Sequence, residues 1–175
     1  MAKFTMIDFG DVAQILGIDI TQDKERGTIS VSHHHDVVSL QKKFDMDDSN
    51  PVHTPGTGME LTVKPEGSVL LDEHGRRDYQ AIVGSLIFLI QSTRMDIAFV
   101  VSQAARFMVN PTSVHMGSVK RILRYLNGMS NLKLSYSCDS NFELTGFCDA
   151  SYSNVNPEKR TSTSGSMYFL FGGVV

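Results

Sequence analysis

The chain has 175 residues, 41% hydrophobic and 20% charged, which fits one globular domain, or one domain with part of a second, and excludes disorder as the default. A formal net charge of -3 excludes a globally basic nucleic-acid binder, so any such role rests on local patches. The apolar runs at 82–90 and 97–101 fall short of the ~20 residues that cross a bilayer, and no cationic segment followed by an apolar one opens the chain.

A soluble, intracellular chain with no membrane partner is the expectation. Cys138 and Cys148, ten residues apart, match neither a redox pair nor a zinc spacing, which fits a reducing setting. In chain order, the alternation ending at Ile20, the turn-like Asp23-Lys-Glu-Arg-Gly27 and the renewed alternation of Thr28-Ile-Ser-Val-Ser32 predict a β-hairpin. Val37, Val38, Leu40, Gln41 and Phe44 predict a short helix. The Pro, Gly and Ser density from Ser49 predicts an irregular connection reaching about Gly75.

Ile82, Leu86, Leu89 and Ile90 recur at helical spacing and predict a helix from about Tyr79 to Gln91. Thr93-Arg-Met-Asp96 has the spacing of a capping box, in which the Thr93 hydroxyl accepts from the Asp96 amide and the Asp96 carboxylate reaches back. A helix is expected to start there, with Ile97, Val100, Val101, Ala104 and Met108 as its stripe and Asn110-Pro111 as its stop. The next helix begins near Thr112 or Ser113, with Val119, Ile122, Leu123 and Leu126 on one face and Lys120, Arg121 and Arg124 on the other. It ends at Gly128, a residue suited to a left-handed turn.

Beyond Gly128 the period becomes alternating, over 132–137, then 142–149 after a turn at 139–141, and again over 166–171 after a polar loop. The change marks an expected boundary between parts 1–130 and 131–175. A few strands with no covering helix make a poor independent unit, so a truncated fold is expected. The predicted class is α+β: an N-terminal hairpin, a helical middle and C-terminal antiparallel strands.

Several landmarks stand in one order: Leu16-Gly-Ile18, Lys43-Phe-Asp-Met46, Thr54-Pro55, Tyr79 with Val83-Gly-Ser-Leu86, and Thr93-Arg-Met-Asp-Ile97. Arg106-Phe-Met108, Pro111 with His115, Lys120-Arg-Ile-Leu-Arg-Tyr-Leu126, Gly146-Phe-Cys-Asp-Ala150 and Arg160-Thr-Ser-Thr-Ser-Gly165 follow. Together they resemble the copia-type reverse transcriptase family over nearly the whole chain. The resemblance implies that the polymerase aspartates lie upstream of Leu16, so no polymerase metal site is expected here. It implies that the strand from Gln14 to Ile20, including Gly17, contacts the primer. The helices would belong to thumb and connection regions that clamp a primer-template duplex or RNA–DNA hybrid.

The resemblance also implies that 144–151 is the opening strand of an RNase H-like fold, with Asp149 as its first metal-binding carboxylate. RNase H chemistry uses two divalent cations about 4 Å apart, magnesium in the intact parent, and such hard cations need several converging oxygens. Asp149 supplies one, so a vestigial, solvated carboxylate is expected, with no cofactor in this fragment. Arg160 is implied as a phosphate neighbour. Met95 stands where the family usually has Pro, Asp36 where it has Tyr, and Met129 where Thr is common, which reads as drift in a decayed copy.

Other features weigh toward plain readings. Asp45-Met-Asp-Asp48 lacks the apolar strands that hold a catalytic aspartate pair in a tight turn, so a solvated helix end is expected. Adjacent residues of a strand point to opposite faces, so His33-His-His35 reads as a polar strand end, with zinc or copper ligation the lesser alternative. His115 reads as a packing or capping residue. Lys120, Arg121 and Arg124 are the candidate phosphate contacts, with Lys42, Lys43 and Arg106 as weaker additions, against the plain reading of a solvated helix face. The functional expectation is a remnant of a reverse transcriptase/RNase H polyprotein that is inactive alone; the alternative is a domesticated, non-catalytic nucleic-acid-binding module.

Overall fold

The computed structural model describes residues 10–58, 61–62, 66–140, 142–151 and 163–175. Strand β1 (Gln14–Ile15) turns at Leu16 and Gly17 into β2 (Ile18–Asp23), and β3 (Thr28–Ser32) returns antiparallel with Asp19 opposite Ser32. The arm of the hairpin that precedes Ile20 is thus itself folded in two. Leu16 (φ 51) and Gly17 (φ 85) both take positive φ, the pattern of a type I′ turn, whose twist suits the strands it joins. Strand β4 (Leu134–Ser137) adds to the far edge of this sheet, with Val31 opposite Leu134. It pairs with β3 and not with the strand that follows it.

Helix α1 (His34–Lys43) follows β3, and α2 (Glu73–Ile90) begins six residues before the expected start at Tyr79. Asp72 caps it, its Oδ1 accepting from the Gly75 amide at 2.8 Å. The irregular stretch expected to reach about Gly75 therefore ends at Asp72, because one cap bond at the positive end of a helix outweighs one helical glycine. Helix α3 (Ala98–Ala105) is shorter than expected, and α4 (Ser113–Gly128) starts where expected. The Thr112 amide donates to His115 Nδ1 at 3.0 Å, and His115 Nε2 then donates to the Thr62 carbonyl at 2.9 Å. His115 is therefore a buried cap, stacked at 4.0 Å on Phe107, as the sequence suggested. Gly128 ends α4 without a left-handed turn; its role is close approach, since a Cβ there would stand 3.0 Å from the Pro51 side chain.

The core is helical. Val37 and Leu40 of α1, Ile82, Val83, Leu86 and Leu89 of α2, Val101 and Ala104 of α3, and Val119, Ile122, Leu123 and Leu126 of α4 are buried together. Each buried Leu, Ile or Val side chain contributes roughly 1.5–3 kcal/mol, so the four helices carry most of the stability. Two bonds tie polar groups into this core: the Tyr79 hydroxyl donates to the Ala104 carbonyl at 2.7 Å, and Gln41 Nε2 donates to the Leu123 carbonyl at 2.6 Å.

Between α2 and α3 the expected capping box does not form. A 3-10 turn, Met95–Ile97, precedes α3, and Thr93 and Asp96 serve other partners. Arg94 is 1% exposed; its Nε and Nη2 donate to the two Asp96 oxygens at 3.0 and 2.8 Å, and its Nη1 donates to the Met129 carbonyl at 3.0 Å. A buried guanidinium left unpaired is far costlier than a missing cap, so it claims the carboxylate. The Tyr125 hydroxyl also donates to Asp96 Oδ2, at 2.8 Å. Burial works to raise the Asp96 pKa, but the Arg94 bonds and charge, with Tyr125, outweigh it and hold the carboxyl below its ordinary value.

Thr93 meets His33, the residue between β3 and α1. His33 is 1% exposed, with Nδ1 2.8 Å from Thr93 Oγ1 and its ring edge-on to Phe88. Burial pushes its pKa down, against the opposing charges of Asp36 and Asp19. The sheet is thereby joined to the end of α2.

A second antiparallel sheet closes the chain: β5 (Thr145–Ser151), β6 (Thr163–Leu170) and β7 (Gly173–Val174), in that order. It meets the first sheet where the Ser137 amide donates to the Phe171 carbonyl at 3.0 Å and the Tyr136 hydroxyl donates to the Val174 carbonyl at 2.7 Å. The α+β class is as expected, with two antiparallel sheets and four α-helices among the described residues. No helix among them is long and apolar enough to cross a membrane.

Gly84 lies inside α2 with open space around an added Cβ. Gly84→Ala should therefore raise the urea-unfolding free energy by about 0.5–1 kcal/mol. Acid should destabilise the fold in two windows. The stability from neutral His33 is whole above its unfolded value of 6.5 and is lost as pH falls through the lower folded value. That from Asp96 is whole above 3.8 and is lost as pH falls through its own lower folded value. Melting temperature should decline first below about pH 6.5 and again below about pH 3.8, and His33→Gln should remove only the first decline. A flat profile across the first window would count against buried, neutral His33.

Candidate nucleic-acid interface

The hairpin tip is built from strain and close contact. Leu16 is 87% exposed at φ 51, a conformation that costs a branched residue of order 1–3 kcal/mol. Gly17 is required twice, by its φ and because a Cβ would come within 3.0 Å of Asp36 Oδ2 on α1. Gln14 Nε2 donates to Asp19 Oδ1 at 3.1 Å, and Asp19 also accepts from His35 Nδ1 at 2.8 Å. Burial works against the Asp19 charge, but these bonds prevail and hold its pKa below the ordinary value. The tip is thus held from beneath by α1 while an apolar side chain faces solvent.

The three histidines do not form a polar strand end. His33 is buried, His34 Nδ1 donates to the Ser130 carbonyl at 3.2 Å, and His35 pairs with Asp19. The rings face three different partners, and no group of three or more His, Cys, Asp or Glu side chains among the described residues is placed to hold a metal. Asp45, Asp47 and Asp48 are exposed after the end of α1, a solvated helix end as expected.

The basic face of α4 differs from its sequence reading. Lys120 is exposed, but Arg121 Nη2 donates to Thr54 Oγ1 at 2.9 Å and Arg124 Nε donates to the Asn50 carbonyl at 2.7 Å. Asn127, one turn further, donates from Nδ2 to the Asp47 and Ser49 carbonyls at 3.0 and 2.9 Å. Residues 121, 124 and 127 form one stripe that staples the segment 47–54 to α4. Asn127 was missed, although its spacing from Arg121 and Arg124 placed it on their face. Lys42, Lys43 and Arg106 are exposed.

Asp149 lies on β5 opposite Gly165, with Oδ1 accepting from the Ala150 amide at 2.8 Å. Alternation and register put it on the same sheet face as Phe147, Met167 and Phe169. Arg160 lies outside the described residues. Cys138 and Cys148 are both free and exposed.

No family model matches the chain. No solved structure matches it either. The chain is 31% identical, over 99% of its length, to the retrovirus-related Pol polyprotein from transposon TNT 1-94 of Nicotiana tabacum, of which it covers 13%. It is 30% identical over 98% of its length to a putative transposon Ty5-1 protein of Saccharomyces cerevisiae and spans 54% of that protein. It is also 30% identical over 97% of its length to an uncharacterized mitochondrial protein of Arabidopsis thaliana, covering 67% of it. With about 30% identity along nearly its whole length to several such proteins, the chain belongs to the Pol polyproteins of copia-type retrotransposons.

Proposed function

We propose that this chain is the segment of a copia-type Pol polyprotein that grips a primer-template duplex or RNA–DNA hybrid and completes neither active site alone. The observation that carries this reading is the hairpin tip. A solvent-facing leucine held at positive φ is strain that a fold keeps only where surrounding contacts fix it, and such strain gathers at binding sites. Gln14 and Gly17 then serve to set the tip, with Leu16 as the group that meets the nucleic acid. Lys120 is the candidate phosphate contact on α4. Arg121 and Arg124 act by holding 47–54 in place beside it.

The sheet β5-β6-β7, antiparallel and opened by a strand bearing Asp149, supports its reading as the first strands of an RNase H-like fold. Magnesium belongs to the parent enzyme in this reading. A divalent cation pair needs several converging oxygens, and among the described residues Asp149 has no such company, so the donor set does not fit. Asp149 is accordingly assigned a vestigial role.

A second reading, a free-standing module that binds nucleic acid without chemistry, is favoured by one comparison: the similar region makes up 67% of the Arabidopsis mitochondrial protein. Binding to an RNA–DNA hybrid over a salt series tests the common claim. Affinity should fall steeply with salt, and Lys120→Ala should flatten the log–log slope by about 0.9, the share of one phosphate contact. Leu16→Ala should weaken binding without changing the slope. Salt-independent binding, or nucleotide incorporation by the purified chain on a primed template, would contradict the proposal.

A further inference from the structure

Helices α1 and α2 each pack on α4 but part from one another, leaving an open groove of about 570 Å³. The start of α1 meets the end of α2, where His33 touches Phe88 and Thr93, so the two helices run antiparallel. From α1 the groove is lined by Asp36, Ser39, Leu40 and Lys43, and from α2 by Gln80, Ala81, Gly84, Ser85, Phe88 and Leu89. Its two ends are opposites. One end has the anion Asp36 and the ring of Phe88, 49% exposed; the other has the cation Lys43, Gln80 and the small Ala81. Asp36 and Lys43 are seven residues apart, about 10 Å along the helix. Gly84 stands at the middle of the α2 lining with empty space above it.

We infer that this groove is the face by which two copies of the chain associate. A two-fold axis lying across both helices near Gly84 reverses each helix over its own copy. Asp36 of each molecule then meets Lys43 of the other, and each Phe88 covers the small end of the opposite groove, beside Ala81 and Gln80. A two-fold interface must be complementary to itself, and a lining with opposite charge and opposite bulk at its ends meets that condition. The other in-plane axis, parallel to the helices, would lay α1 of one copy over α2 of the other, with Asp36 against Phe88 and Lys43 beside Ala81 and Gln80, so that neither charge meets its opposite. The four helices would form an antiparallel bundle whose centre is the present groove, with Gly84 allowing close approach. The two helix faces cover on the order of 500 Å² per copy, below the ~800 Å² of a standard interface, so the dimer is weak and concentration-dependent.

Sedimentation velocity of the full 175-residue chain over a concentration series tests this pairing. Asp36→Lys and Lys43→Asp should each raise the dimer dissociation constant by at least about tenfold, because each sets like charges together twice. The combined swap should return it to near the wild-type value. Gly84→Phe, whose Cβ meets nothing within 4 Å in the monomer, should abolish the dimer while leaving the circular dichroism spectrum unchanged. It keeps the test open even where a charge reversal perturbs the fold. A chain that stays monomeric at every concentration, or a dimer indifferent to Gly84→Phe and to Lys43→Asp, overturns the inference.

Discussion

A guanidinium inside an apolar core must be fully paired, and the arrangement of this molecule follows from how Arg94 meets that demand. Its donors reach both oxygens of Asp96 and the carbonyl of Met129, and its Cζ lies 5.7 Å from the centre of the Tyr125 ring. Asp96 precedes α3, while Tyr125 and Met129 belong to the end of α4. The one charge therefore joins the link between α2 and α3 to the last turn of α4. From there the chain enters β4, so the position of the fourth strand also depends on that joint. The neighbouring Thr93 carries the same joint to His33 and the first sheet.

The features of the candidate interface hang on this frame at different distances. The hairpin tip is supported through α1, whose first turn holds Gly17 closely and whose Gln41 is bonded to α4. The stripe of Arg121, Arg124 and Asn127 uses α4 as a rail for the segment 47–54. Two arginines that look like free phosphate ligands in the sequence thus work as structural donors, and the exposed cation beside them is Lys120. Asp149 stands on a second sheet, joined to the first by the Tyr136–Val174 and Ser137–Phe171 hydrogen bonds.

Much of this was legible in the sequence because local patterns were strong. Alternation located the first hairpin, the stripe of Val119, Ile122, Leu123 and Leu126 located α4, and the shift to alternation after Gly128 located strands. Failures came where a distant partner outbid a local one. Thr93 and Asp96 have capping-box spacing, but a guanidinium buried by tertiary packing takes the carboxylate. The irregular connection read from Ser49 was carried about three residues into α2, and β4 found its partner a hundred residues back in β3, a pairing that no short-range pattern encodes. For the interface, the residue types were readable and their commitments were not: the staple of 47–54 depends on where a loop passes over α4.

The claim on which the account rests is that the buried Arg94 is held by Asp96 as one pair. A double-mutant cycle in urea with Arg94→Met, Asp96→Leu and the pair measures it directly. Asp96→Leu should cost about 3–5 kcal/mol, because it strands the buried guanidinium, Arg94→Met should cost less, because the carboxylate it leaves reaches solvent, and the double variant should recover at least about 2 kcal/mol of the summed loss. Additive losses, with no recovery in the double variant, would contradict the account.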